Sequence, residues 1–159
     1  MADRWGHLYI NTERSFDEPI LLKASIVHGF KRGSKELGFP TANLNMDELG
    51  DLGKQLNTGI YFGWILLNDI VYETVVSIGY NPVYKNETKT VEAYIINQLL
   101  PDFYGECVQL LLLGYLRDEC NFSGLEELIS CINTDVEHAR HRLVTTKDKY
   151  SNSQQWSQL

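Results

Sequence analysis

Three stretches of this 159-residue sequence hold residue types whose spacing could do chemistry. Gly29-Phe30-Lys31-Arg32-Gly33-Ser34-Lys35-Glu36-Leu37-Gly38-Phe39 interleaves glycines with basic side chains. That composition lets backbone N–H groups and a lysine approach phosphate oxygens. It is neither the G-x-x-x-x-G-K-[ST] loop nor the G-x-G-x-x-G fingerprint, and an exposed basic loop has the same composition. Pro40-Thr41-Ala42-Asn43 follows at once. If extended, Thr41 and Asn43 face one way and offer a hydroxyl and an amide oxygen, hard neutral donors that suit magnesium beside water and phosphate. The same residues also describe a turn entering a strand. The third stretch is Thr90-Val91-Glu92-Ala93-Tyr94-Ile95-Ile96. Alternation puts Thr90, Glu92, Tyr94 and Ile96 on one face, where Glu92 is either a general base or the solvent side of a strand.

Other candidates carry less. His7, His28, His138 and His141 have no metal-ligand spacing with carboxylates or cysteines, and His138 and His141, near a helix end, read as exposed. Cys107, Cys120 and Cys131 are odd in number and lack C-x-x-C spacing, which argues against a disulfide framework or zinc and for a reducing compartment. Tyr61, Trp64, Tyr72, Tyr80, Tyr84, Tyr94, Phe103 and Tyr104 could stack on a planar ligand, but in a β protein such rings usually form core. The formal charge of −7 and pI near 5.0 argue against broad binding to nucleic acid or to an anionic membrane. The start lacks the apolar core of a signal peptide, and no apolar run nears the roughly 20 residues of a membrane span. The expectation is a cytoplasmic monomer; the final Ser157-Gln158-Leu159 matches the peroxisomal S-K-L address only in outline.

The elements that must position these residues read as mainly β. Residues 1–19 are polar and aperiodic, an expected N-terminal extension. Residues 20–28 read as a strand, and residues 29–56 as a long functional loop with five glycines. Residues 59–67 and 70–78 form a hairpin through Asn68-Asp69, whose types suit positive φ. Residues 90–97 and 107–116 complete the strands, the latter buried around Leu110-Leu111-Leu112-Leu113. No helices separate them, so the connections should be antiparallel. Leu125, Leu128, Ile129, Ile132, Val136, Ala139 and Leu143 then form the apolar stripe of one helix. Ser123 and Glu126 have capping-box spacing, and Arg140, His141 and Arg142 suit its C-terminal end. The barrel domain with its helix spans residues 20–143, and residues 144–159 read as a flexible tail.

Several segments, in order, resemble the riboflavin kinase family in its monofunctional eukaryotic form. They are Gly29-Phe30-x-Arg32-Gly33-Ser34-Lys35-x-Leu37-Gly38-x-Pro40-Thr41-Ala42-Asn43, Thr58-Gly59-Ile60-Tyr61, and Val76-Ser77-Ile78-Gly79-Tyr80-Asn81-Pro82-x-Tyr84-Lys85-Asn86. Glu92, Asp102-Phe103-Tyr104-Gly105-Glu106, Gly114-Tyr115-Leu116-Arg117 and Asn121-Phe122 continue the match. The resemblance implies a six-stranded antiparallel Greek-key β-barrel with a C-terminal α-helix packed on it. It implies transfer of the γ-phosphate of ATP to the 5′-hydroxyl of riboflavin, giving FMN and ADP. Gly29, Gly33 and Lys35 would belong to a flap over the ATP phosphates, with Tyr94 and Tyr104 on the nucleotide side. Thr41 and Asn43 would hold Mg²⁺, with Zn²⁺ or Mn²⁺ as alternatives, and Glu92 would be the base. Arg117, Asp118, Asn121 and Ser123 fall in the flavin-side loop. Lys31, Tyr80 and Tyr94 stand where the family more often has Gly, Trp and His. Two rivals are a barrel that holds flavin or nucleotide without turnover and an oligonucleotide-binding barrel. Glu92 together with Thr41 and Asn43 favours the enzyme over the first, and net charge disfavours the second.

Overall fold

A computed structural model describes residues 4–27, 41–80, 89–96 and 105–159. Six strands make its body: β1 (Arg14–Val27), β2 (Thr41–Leu44), β3 (Gly59–Leu67), β4 (Ile70–Tyr80), β5 (Lys89–Ile95) and β6 (Cys107–Arg117). All pair antiparallel in the closed order β1-β2-β5-β4-β3-β6, with β6 returning to β1. The spatial run β6-β3-β4-β5 is a Greek key: three hairpin-connected strands and a fourth that comes back beside the first. This is the expected architecture. The β3–β4 turn is the expected tight hairpin, with Asn68 at φ 49° and Asp69 at φ 65°.

Side-chain alternation divides the apolar residues between two cores. Leu22, Ile26, Ile65, Ile78, Val91, Ile95, Leu110 and Leu112 fill the barrel. Phe62, Trp64, Val75, Leu111, Leu113 and Leu116 point outward, against Ala139 and Leu143 of a long helix. β6 is buried on both faces, which is why it reads as a continuous apolar run rather than an alternating one. At Gly63 a side chain is impossible, because a Cβ there would lie 1.9 Å from the Leu111 carbonyl oxygen.

Helix α1 (Met46–Gln55) occupies the stretch expected to be loop, and β2 precedes it. Asn45 caps it by accepting from the Asp47 N–H, and Glu48 reaches back to the backbone N–H and hydroxyl of Ser25 on β1. Gly50, at φ 58°, kinks it midway, so no unbroken helical period runs through the segment. Helix α2 (Leu125–Leu143) carries the expected stripe, with Ile132, Ala139 and Leu143 buried, Leu128, Ile129 and Val136 half-buried and Leu125 exposed at its start. Its N-cap is Gly124 without a side-chain bond, so Ser123 does not form the expected capping box.

Both ends belong to the packed body. β1 begins at Arg14 rather than Ile20, and Tyr9, ahead of it, is buried against α2. His138, read as exposed, is half-buried and stacks on Tyr9 with ring centroids 3.9 Å apart. The tail was expected to be loose. Instead Tyr150 and Trp156 are buried, Trp156 donates to the Tyr150 carbonyl at 2.7 Å, and Trp64 donates to Thr146 at 2.9 Å. Large rings find cover on the outer side of the barrel, and the polar residues between them stay in water. No helix among the described residues is long and apolar enough to cross a membrane. Among them Cys107, Cys120 and Cys131 are all free.

Candidate active site

Strand register assembles the first part of the site. β2 and β5 pair with Thr41 opposite Tyr94, Ala42 opposite Ala93 and Asn43 opposite Glu92. Ala42, Val91, Ala93 and Ile95 point into the barrel and are fully buried. The alternation therefore turns Thr41, Asn43, Glu92 and Tyr94 to the outer face together. On the other flank of β5, Ser77 of β4 lies opposite Glu92. Glu92 thus has Asn43 on one side and Ser77 on the other, both neutral.

Burial pushes the Glu92 carboxyl above the usual range, and a hydrogen bond from the Thr41 hydroxyl pulls part of the way back. A carboxylate whose negative form is disfavoured by burial is a stronger proton acceptor than one in water. Burial first, then the Glu92 charge, holds the Tyr94 phenol well above its ordinary value, so it remains a neutral hydroxyl. The donor set of one hydroxyl, one amide oxygen and one adjacent carboxylate suits a hard cation that keeps most of its shell as water and phosphate oxygen. Among the described residues no cluster of three His, Cys, Asp or Glu side chains forms a metal site of the all-protein kind.

The second part is a cavity of about 450 Å³ between the barrel wall, the loop after β6 and the start of α2. Ile60, Val75, Ser77 and Tyr94 form its barrel side; Phe122, Leu125, Leu128 and Ile132 face them. A planar apolar ligand with a few polar groups fits such walls. Ser77, opposite Glu92 in register, and Tyr94, two residues along β5 on the same face, both line the cavity, so Glu92 sits at its edge. Glu119 enters from the loop, and its carboxylate occupies the space a Cβ at Gly79 would take, 1.8 Å from that position.

A buried ion pair forms part of the cavity wall. Arg117 Nε and Nη2 donate to the two Asp135 oxygens at 2.7 and 2.8 Å, with side chains 3% and 1% exposed. Tyr9 donates its hydroxyl to the same Asp135 Oδ1 at 2.6 Å. The remaining Arg117 donor, Nη1, holds the Asp118 carbonyl at 3.1 Å and the Cys120 sulfur at 3.5 Å, so one guanidinium shapes the loop. Both ends are bidentate or multiply bonded, the condition under which a buried pair is tolerable.

The residues singled out in the sequence separate clearly. Thr41, Asn43, Glu92 and Tyr94 come together on one face. Arg117 and Asn121 line the cavity from the loop, and Tyr94 lines it from the barrel wall. The Asp118 carboxylate is engaged by the Tyr115 hydroxyl at 2.6 Å, and neither Asp118 nor Ser123 lines the cavity. Gly29, Gly33, Lys35 and Tyr104 lie outside the described residues. Tyr9, Ser77, Glu119 and Asp135 were missed. Only Asp135 left a signal: it stands three residues after Ile132 and four before Ala139, a charge on the apolar stripe that needed a buried partner.

A closed Greek-key barrel with oxygen donors and a partly buried carboxylate on its outer face, at the edge of a cavity of mixed apolar and polar walls, defines a small-molecule enzyme site rather than a polymer-binding surface. The Flavokinase family model, described as riboflavin kinase, matches residues 16–143. Human riboflavin kinase is 46% identical over 126 residues, covering 79% of this chain and 81% of that protein. Riboflavin kinase from Trypanosoma brucei has a similar structure, with a TM-score of 0.66 and 30% identity, covering 87% of this chain and 88% of that one. A macrolide-efflux protein from Streptococcus pneumoniae gives a TM-score of 0.64 at 28% identity, covering 77% of this chain but 38% of that one. The chain belongs to the riboflavin kinase family, and it is a kinase.

Proposed function

We propose that this chain transfers the γ-phosphate of ATP to the 5′-hydroxyl of riboflavin, giving FMN and ADP, with Glu92 as general base. The observation that carries this reading is the register that sets Glu92 between Asn43 and Ser77 at the cavity's edge. The cavity takes the isoalloxazine ring between its barrel wall and α2, and the ribityl chain runs toward Glu92. Thr41 and Asn43 hold a divalent ion, Mg²⁺ by their oxygen chemistry, which supplies charge neutralisation to the phosphates when bound. Glu92 accepts the hydroxyl proton, and its raised affinity for that proton matches the task. The Thr41 hydroxyl orients the carboxylate by donating to it. Arg117 fixes the loop that closes the ring's edge, and Asn121 faces the cavity from it. The family resemblance assigns Gly29, Gly33 and Lys35 to the ATP phosphates and Tyr104 to the nucleotide. The work of such a site is alignment and charge stabilisation more than covalent chemistry.

The three free cysteines suit a reducing, cytoplasmic setting. The test is direct: the protein is mixed with riboflavin, ATP and Mg²⁺, and the flavins are separated by chromatography. FMN and ADP should form in equal amounts and only with the metal present. Binding of riboflavin without FMN formation would make the chain a flavin-holding barrel instead.

A further inference from the structure

Residues 4–13 precede the span matched by the family model, yet two of their rings touch the cavity wall. We infer that this N-terminal arm is a brace for the riboflavin pocket, with Tyr9 and Trp5 as positioning residues that set the wall from behind. The inference rests on the cavity taking riboflavin.

The arm is fastened along α2 at several points. Arg4 pairs with Glu127, Trp5 donates Nε1–H to the Ser130 hydroxyl at 3.0 Å, and Tyr9 reaches Asp135. From there it acts on the wall in two ways. The Trp5 ring meets Phe122 edge to face at 5.7 Å, while the Arg117 guanidinium lies 5.8 Å from the same Phe122 ring. Phe122 is thus held between the arm and the loop's central arginine. Separately, the Tyr9 hydroxyl is one of three donors on the Asp135 carboxylate, and Asp135 holds Arg117. Arg117 in turn fixes Asp118 and Cys120, so the hydroxyl of Tyr9 is linked to the loop through two charged groups. Burial and the Asp135 charge keep this phenol protonated, so the donor is present at every working pH. In a buried polar network, losing one donor leaves the acceptor short and lets the remaining partners shift.

Neither ring borders the Thr41–Asn43–Glu92 face in strand register, because the arm lies against α2 and the loop after β6. The effect should therefore fall on riboflavin rather than ATP. The test uses the full chain with Tyr9→Phe, which keeps the ring stacked on His138 and removes only the hydroxyl, and Trp5→Leu, which removes the Phe122 contact. Riboflavin binding is read by flavin fluorescence, and ATP KM, kcat and melting temperature are read alongside. Each variant should weaken riboflavin binding by about three- to tenfold, the scale of one hydrogen bond or ring contact. The ATP KM and kcat should stay within about twofold. Folded variants with wild-type riboflavin affinity would overturn the brace. So would equal losses for riboflavin and ATP, which mean general loosening. If the wild-type protein itself fails to bind riboflavin, the proposed function fails first and the brace with it.

Discussion

Replacing Asp135 with asparagine exchanges one carboxylate oxygen for an NH₂ group at the centre of a buried network. Asp135 is 1% exposed and accepts from Arg117 Nε, Arg117 Nη2 and the Tyr9 hydroxyl. An amide must put its NH₂ at one of the two oxygen positions. At the Oδ2 position it faces Arg117 Nη2, and at the Oδ1 position it faces Arg117 Nε, so a donor meets a donor in either orientation. The Arg117 charge, itself 3% exposed, also loses its counterion. Breaking a buried pair from one side costs about 3–5 kcal/mol. For a chain of this size each kcal/mol moves the melting temperature by roughly 2–4 °C, so the expected fall is roughly 6–20 °C. Circular dichroism against temperature measures it. Glu127→Gln is the control, since its pair with Arg4 is partly exposed and such pairs contribute about 0–1 kcal/mol. An Asp135→Asn protein that melts within about 2 °C of wild type would show that the network is not under the constraint described.

Gly63→Ala should separate β3 from β6, because its Cβ would stand 1.9 Å from a backbone oxygen that cannot swing aside; urea unfolding should show a loss of several kcal/mol or no folded protein. A midpoint within about 0.5 kcal/mol of wild type contradicts that geometry. Asn43→Ala should leave melting almost unchanged and raise the Mg²⁺ needed for half-maximal FMN formation by tenfold or more; an unaltered Mg²⁺ dependence removes Asn43 from the metal site. Glu92→Gln should change stability in a pH-dependent way. The folded protein raises this carboxyl, so its contribution is fully present below the unfolded value and is lost as pH rises through the folded one. The variant should gain on wild type between acid and neutral pH in urea midpoints, and a difference that stays flat or moves in favour of wild type as pH rises would contradict the burial of that charge.

The barrel was legible where period and turn chemistry agreed. The two-residue Asn68-Asp69 link, the alternation around Glu92 and the stripe of α2 each express one local rule, and each stands in the structure. Helix α1 was not read, because Gly50 interrupts it and Gly53 thins its apolar face; the Asn45 cap was its one local signal. The ends were misread for a different reason. Tyr9, Tyr150 and Trp156 are single rings in polar surroundings, buried by a surface that only the assembled barrel and α2 provide. No periodicity marks them. The candidate site followed the same division: the shared face of Thr41 and Asn43, and that of Glu92 and Tyr94, were readable from alternation, whereas the Arg117–Asp135–Tyr9 network joins segments far apart in the chain.

The central claim is that Glu92 takes the proton from the acceptor hydroxyl. Glu92→Gln keeps the side chain's length and removes the acceptor, so single-turnover FMN formation at saturating riboflavin, ATP and Mg²⁺ tests it most directly, with riboflavin binding measured on the same protein. The expected rate is lower by about 10²-fold or more, with binding within about threefold. A rate equal to wild type in a protein that binds riboflavin normally would contradict it.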